Sequence, residues 1–139
     1  IIRFNNMKIL VTGGNGMVGK SLFNLIDENS KDIYKFTNSK ECDLRLIASA
    51  DILFSNFKPD IVVHLASRVG GLFINQTSNL EFFLDNTKIN GNIIELCEKY
   101  NVKKLINILS TCIFPNDIKY PITYDQLHNG LPHNSNIGY

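Results

Sequence analysis

The sequence is poor in net charge, in cysteine and in long apolar runs, and each shortage narrows its chemistry. Lys and Arg number 14 against 13 Asp and Glu, leaving a formal charge of +1. Such a balance supplies no basic surface for nucleic acid and none for an anionic membrane. Apolar runs, such as Leu105-Ile106 and Ile108-Leu109 around Asn107, fall far short of the ~20 residues that a bilayer span needs. Arg3-Phe4-Asn5-Asn6 precedes only one short apolar stretch, which is unlike a secretory signal. The three cysteines, Cys42, Cys97 and Cys112, are odd in number and lack metal-ligand spacing. They point to free thiols in a reducing compartment, hence to a cytoplasmic protein. His128 and His133 lie in a loop rich in Asn, Gly and Pro without companion ligands, so no metal is expected. What remains is ample material for a core. Of 139 residues, 44% are apolar and 19% charged, as in a single globular domain.

Apolar patterning divides the chain into alternating elements. Residues 7–12 form a short β-branched strand, and Val18, Leu22, Leu25 and Ile26 recur at helical spacing over residues 17–28. Ile33, Tyr34 and Phe36 mark a second strand. Ile47, Ala50, Leu53, Phe54 and Phe57 mark a helix over residues 47–57, closed by Lys58-Pro59. Residues 61–65 read as a third strand and 103–109 as a fourth. Ser78 and Glu81, three apart before Phe82, predict a capping box opening a long helix to Tyr100. The order β-α-β-α-β-α-β implies an α/β fold with a parallel sheet and right-handed crossovers. Ligands of such sheets bind beyond the carboxyl ends of the strands.

Chemistry-bearing residues follow each strand. After the first comes Thr12-Gly13-Gly14-Asn15-Gly16-Met17-Val18-Gly19. A glycine-rich turn alone is a weak signal. Between a strand and a helix, its glycines permit a tight turn and bring N–H groups close to a pyrophosphate. This predicts a Rossmann-like, doubly wound, dinucleotide-binding sheet. After the second strand, Thr37, Asn38, Ser39 and Lys40 offer donors and a cation, and the first acid is Glu41. That set favours the 2′-phosphate of NADP over the bare ribose of NAD, unless it is simply a solvated turn. Asp43 and Leu44 are placed to receive the adenine edge.

After the third strand, His64 reads as a structural histidine, while Leu65, Ala66 and Ser67 allow close backbone approach to a cofactor. Arg68 is either a phosphate contact or a solvated cation. Asn86, and similarly Asn90, interrupt a helical apolar stripe, where a buried amide needs partners near the strand ends. After the fourth strand, Leu109 borders the cofactor side, and Ser110 and Cys112 lie where a substrate would sit. A loop-starting hydroxyl and an inert buried thiol remain open alternatives on position alone.

The glycine motif Gly13–Gly19, His64-Leu65-Ala66, and Ser110-Thr111-Cys112 followed by Tyr139 resemble the extended short-chain dehydrogenase/reductase superfamily. Val69-Gly70-Gly71-Leu72, Ser110-Thr111-Cys112-Ile113-Phe114-Pro115 and His133-Asn134-Ser135-Asn136-x-Gly138-Tyr139 resemble the GDP-L-fucose synthase family within it. The resemblance runs from Met7 to Tyr139. It implies an NADP(H)-dependent 3,5-epimerase and 4-reductase of GDP-4-keto-6-deoxy-D-mannose, working as a cytosolic homodimer. Position by position, Ser110 matches the catalytic serine, Tyr139 the tyrosine of Tyr-x-x-x-Lys, and Cys112 the epimerisation cysteine. Asn136 matches an active-site asparagine, and Val69, Gly70 and Gly71 a substrate-binding segment. Ser67 stands where many relatives carry Ala. The motif lysine, the family's acid histidine and its substrate domain fall outside the sequence.

Residues 1–139 therefore read as the incomplete N-terminal NADP-binding domain of a larger protein, with Met7 placed as a natural start would be. The implied chemistry suits the residues. The C4 ketone acidifies the hydrogens on C3 and C5, Cys112 is the candidate base, and Ser110 and Tyr139 are donors to O4. The rival expectations are another nucleotide-sugar epimerase or dehydratase and an inactive NADP-binding sensor. Ser110, Cys112 and Tyr139 together argue against the sensor.

Overall fold

The computed structural model describes residues 6–134. Its elements are β1 (Lys8–Thr12), α1 (Met17–Leu25), β2 (Ile33–Thr37), α2 (Ile47–Phe57), β3 (Ile61–His64), α3 (Leu72–Thr77), α4 (Asn79–Lys99) and β4 (Lys104–Asn107). Two 3-10 turns follow, Thr111–Ile113 and Tyr124–Gln126. The strands form one sheet in the order β2-β1-β3-β4, with every pair parallel. From β1 the chain crosses to one side to make β2 and to the other to make β3. The carboxyl ends of β1 and β3 thus flank the switch point at which such sheets bind ligands.

Alternation along the strands sorts side chains onto two faces. Leu10 and Val62 join Ala50, Leu53 and Phe54 of α2 and Ile93, Leu96 and Cys97 of α4 in the buried core. The neighbouring residue Phe36 points to the other face, where its ring meets Phe23 of α1 edge-on at 5.3 Å. Helices cover both faces, which makes the sheet doubly wound. No helix among the described residues is long and apolar enough to cross a membrane.

The chain forms two compact units. One comprises the residues up to Ser67 together with Asp85–Ile108, and includes the whole sheet. The other comprises Arg68–Leu84 and the segment from Leu109 onward.

Several boundaries differ from the sequence reading, for local reasons. The first helix stops at Leu25 rather than residue 28, because Asp27 Oδ1 accepts the Asn29 N–H at 2.8 Å and makes a turn of its own. β4 spans Lys104–Asn107 rather than 103–109, limited by a four-residue partner strand. The patterning missed α3 altogether. That short helix begins at Gly71 without a side-chain cap, and the Ser78 N–H closes it on the Ile74 carbonyl. Glu81, expected in a capping box, accepts a hydrogen bond from Arg68 at 2.9 Å. α2 ends where Lys58-Pro59 predicts, with Lys58 left-handed at φ 51°. Beyond α4, Asn101 at φ 53° turns the chain so that the Val102 N–H reaches the Cys97 carbonyl at 2.9 Å.

Candidate functional site

The glycine turn joins β1 to α1 in the sheet-containing unit. Gly13 has φ +69°, and a Cβ there would lie 2.8 Å from the Ala66 nitrogen and the Leu65 carbonyl carbon. A Cβ on Gly19 would lie 2.6 Å from the Gly14 oxygen and 2.7 Å from the Gly13 oxygen. Gly13 needs glycine for both conformation and space, and Gly19 for space alone. The turn is pinned by Gly14 N–H on the Thr37 carbonyl at 2.8 Å and by Gly16 N–H on the Gly13 carbonyl at 2.9 Å. Lys20 N–H makes the first bond into α1, to the Gly16 carbonyl. The N–H groups of Met17, Val18 and Gly19 precede it and have no intrahelical acceptor. No acidic side chain stands in the first turn of α1. The turn therefore presents a compact, positively polarised set of donors, suited to a phosphate pair. Asn15, Gly16, Met17 and Val18 are exposed, while Gly19 is buried.

At the end of β2, Thr37 is 2% exposed and its hydroxyl has no partner. Asn38 Oδ1 accepts the N–H groups of Lys40 at 3.0 Å and Glu41 at 3.3 Å. This side chain thus builds its own turn, leaving its amide nitrogen, with exposed Ser39 and Lys40, as the outward-facing donor set. Asp43 and Leu44, expected to receive the adenine edge, are each held by other protein groups. The Arg45 guanidinium grips both Asp43 oxygens, at 2.8 to 3.3 Å, and reaches Asp85 at 3.3 Å. The hydrogen bond from Arg45 holds the Asp43 carboxyl below its ordinary pKa. The Leu44 side chain is buried in the core, and its carbonyl accepts from Asn92 at 2.8 Å. Asn92 thus ties α4 to the loop after β2, and Asn86 is half-buried.

Beyond β3, Leu65, Ala66 and Ser67 run directly past the glycine turn, and Leu65 and Ala66 supply the backbone that Gly13 approaches. His64 is 3% exposed, with Nδ1 2.7 Å from Thr12 Oγ1 and Nε2 3.1 Å from Asn90 Oδ1. Burial lowers its pKa. It is the partnered, structural histidine that its position predicts. Asn90 finds a partner at a strand end, as expected, but that His64 is that partner and Thr12 the other was not legible, since nothing in their spacing joins residues 12, 64 and 90.

In the second unit, Ser110 Oγ accepts the Cys112 N–H at 3.1 Å and caps the turn Thr111–Ile113. This places the hydroxyl and the half-buried, free Cys112 thiol in one short loop, with the Ser110 proton still able to donate. Leu109 and Val69 are exposed. A Cβ on Gly70 would meet the Phe82 ring at 3.0 Å, whereas Gly71 faces open space. Arg68, expected either on a phosphate or in solvent, pairs with Glu81 at 2.9 Å and lies 4.8 Å from the Phe82 ring centroid. Gln126 went unnoticed in the sequence. Its amide bonds the Lys119 N–H and carbonyl, the Pro121 carbonyl and Thr123 Oγ1, closing the following loop. Asn136 and Tyr139 lie outside the described residues.

A family model described as the NAD dependent epimerase/dehydratase family matches residues 9–139. The chain is 47% identical over 133 residues to the GDP-L-fucose synthase of Dictyostelium discoideum, covering 94% of this chain and 42% of that protein. It is 46% identical over 134 residues to the probable GDP-L-fucose synthase of Drosophila melanogaster, covering 95% and 42%. A crystal structure of a GDP-L-fucose synthetase from Naegleria fowleri bound to NADP superposes with a TM-score of 0.86 at 41% identity, across 100% of this chain and 41% of that one. The chain spans less than half the length of these relatives. With a family match from the first strand onward, a glycine turn at the head of α1 and a four-stranded parallel sheet, the chain belongs to the NAD dependent epimerase/dehydratase family.

Proposed function

We propose that the chain is the N-terminal dinucleotide-binding part of an NADPH-dependent oxidoreductase with epimerase activity. The complete enzyme would invert C3 and C5 of GDP-4-keto-6-deoxy-D-mannose and reduce C4, yielding GDP-L-fucose for nucleotide-sugar biosynthesis. The observation that carries the cofactor reading is the tight turn at the head of α1, which closes only because Gly13 and Gly19 carry no Cβ to strike the Leu65–Ala66 backbone and the Gly13 and Gly14 oxygens. Identities of 47% and 46% to GDP-L-fucose synthases support the sugar.

The residues fit a dinucleotide. The free N–H groups of Met17, Val18 and Gly19 would hold its pyrophosphate, in a turn closed by the Gly14 and Gly16 N–H groups. Asn38, Ser39 and Lys40 would hold its 2′-phosphate, since no carboxylate intervenes before Glu41. Asp43 and Leu44 would meet adenine through backbone, because one side chain is held by Arg45 and the other is buried. Leu65, Ala66, Ser67 and Leu109 would border the cofactor. When bound, NADPH supplies the hydride for C4. Cys112 Sγ would take the proton from C3 and from C5, each acidified by the C4 ketone. The Ser110 hydroxyl would steady the charge developing on O4, and Tyr139 would protonate that oxygen. Val69, Gly70, Gly71 and Asn136 would line the sugar site.

A cytoplasmic homodimer belongs to the same proposal. It is supported by Leu80, Phe83 and Ile94 of α4, which are 65%, 54% and 54% exposed, and by open space around Gly91. Incubating the full-length protein with NADPH and GDP-4-keto-6-deoxy-D-mannose, then identifying the nucleotide sugar formed, tests the reading. GDP-L-fucose is expected. An unepimerised 4-reduced sugar would reduce the enzyme to a simple ketoreductase.

A further inference from the structure

The function above makes no use of the buried chain Thr12–His64–Asn90. Thr12 and His64 are register partners at the carboxyl ends of β1 and β3, with exposures of 0% and 3%. Thr12 Oγ1 lies 2.7 Å from His64 Nδ1 and 3.2 Å from both the Leu65 and Ala66 backbone nitrogens. A hydroxyl has one proton and two lone pairs. The Ala66 N–H and the Leu65 N–H, which is shared with the Thr12 carbonyl at 3.3 Å, point at the oxygen's lone pairs, so the hydroxyl proton points at Nδ1. Nδ1 is then the bare nitrogen, and Nε2 carries the hydrogen that Asn90 Oδ1 accepts at 3.1 Å. Only the neutral Nε2–H tautomer satisfies every member of the chain.

The peptide that Thr12 holds is the one against which Gly13 turns. A Cβ on Gly13 would strike Ala66 N and Leu65 C at 2.8 Å, and the Gly13 carbonyl in turn receives the Gly16 N–H and abuts Gly19. Contact is therefore continuous from the imidazole to the first turn of α1. An imidazolium would carry a hydrogen on Nδ1 as well. Thr12 would then have to turn its own proton away and give up one of its two N–H groups. Because the Leu65 N–H also has the Thr12 carbonyl at 3.3 Å, the Ala66 N–H is the one left without another acceptor.

We propose that His64 is a positioning residue for the dinucleotide: as the Nε2–H tautomer it orients the Thr12 hydroxyl, which clamps the Leu65–Ala66 peptide beneath Gly13 and sets the spacing of the donors at the head of α1. It touches no cofactor atom. The proposal rests on reading the glycine turn as the cofactor site.

The test uses the full-length protein, with NADPH affinity from titration calorimetry and the His64 tautomer from imidazole nitrogen NMR. The unsubstituted protein should show the Nε2–H form. Thr12→Val, isosteric without the hydroxyl, should weaken NADPH binding by about tenfold, because the Ala66 N–H loses its acceptor and the Leu65 N–H keeps only the Thr12 carbonyl at 3.3 Å. Thr12→Ser should restore it to within about twofold. Asn90→Asp supplies a carboxylate that favours the imidazolium. It should shift the His64 signals to the doubly protonated form and weaken binding, even if Thr12→Val does not fold. An Nδ1–H tautomer overturns the proposal. So does unchanged affinity in folded Thr12→Val or in Asn90→Asp with a shifted His64 signal, and so does a fall in melting temperature with no change in affinity. Failure of the unsubstituted protein to bind either dinucleotide overturns the cofactor reading first and this proposal with it.

Discussion

Gly13 turns so close to Ala66 that a single added carbon would sit 2.8 Å from the Ala66 nitrogen. This contact binds the glycine turn to the segment after β3, and it also forces Gly13 into the left-handed region at φ +69°. Gly13→Ala combines both penalties against rigid backbone. It is expected to lower the stability of the full-length protein by about 2–4 kcal/mol and abolish measurable NADPH binding. Urea denaturation and titration calorimetry read the two effects. Near-normal stability would mean that the turn relaxes more freely than its contacts indicate.

Cofactor choice is expected to follow the end of β2. Exposed Ser39 and Lys40, with the amide nitrogen of Asn38, favour a phosphate, and no carboxylate lies between Thr37 and Glu41. The complete protein should use NADPH with higher kcat/KM than NADH. Lys40→Glu should narrow that ratio by about tenfold through like-charge repulsion. A parent enzyme preferring NADH would remove the basis for this reading.

Cys112 and Ser110 share one capped turn, yet their proposed tasks differ. Cys112→Ser should suppress solvent deuterium incorporation at C3 and C5. It should leave reduction of an already epimerised keto sugar within about tenfold of normal. Mass spectrometry of the recovered sugar measures the exchange directly. Undiminished exchange would assign the base to another group.

His64 gives folding a pH dependence of definite sign. Burial lowers its pKa from 6.5, so the unfolded chain binds the proton more readily than the folded one. Its stabilising contribution is complete above pH 6.5 and is lost as pH falls from there toward the folded value. Carboxylates lowered from 3.8, such as Asp43 and Asp60, act in a separate, more acidic window. Denaturant midpoints of the full-length protein should fall between pH 7 and 5, by at most about 1.4 kcal/mol per pH unit from this group. In His64→Gln that slope should flatten. An equal slope in both proteins would trace the acid sensitivity to other residues.

Much of this molecule could be read without coordinates. The β-branched run of β1 and the glycines after it, the helical spacing from Ile47 to Phe57 and the stop at Lys58-Pro59 are local signals. They depend on backbone sterics and on periodicity, and they survive in the structure nearly residue for residue. Alternating strands and helices likewise implied a parallel sheet. α3 escaped because six residues opened by Gly71 without a side-chain cap carry too few turns to show a period. The protein partners of Leu44 and Asp43 escaped for a different reason. Whether a residue after a strand faces ligand or core depends on where α2 and α4 pack, and burial drew Leu44 inward while Arg45 captured Asp43. The sequence by itself determined the element order, the glycine turn and the identity of the groups able to do chemistry, because those follow from residue type and spacing. Only the tertiary structure decided that Thr12, His64 and Asn90 meet. Side chains 52 and 26 positions apart come within hydrogen-bonding distance only through the parallel pairing of β1 with β3 and the packing of α4 against the sheet.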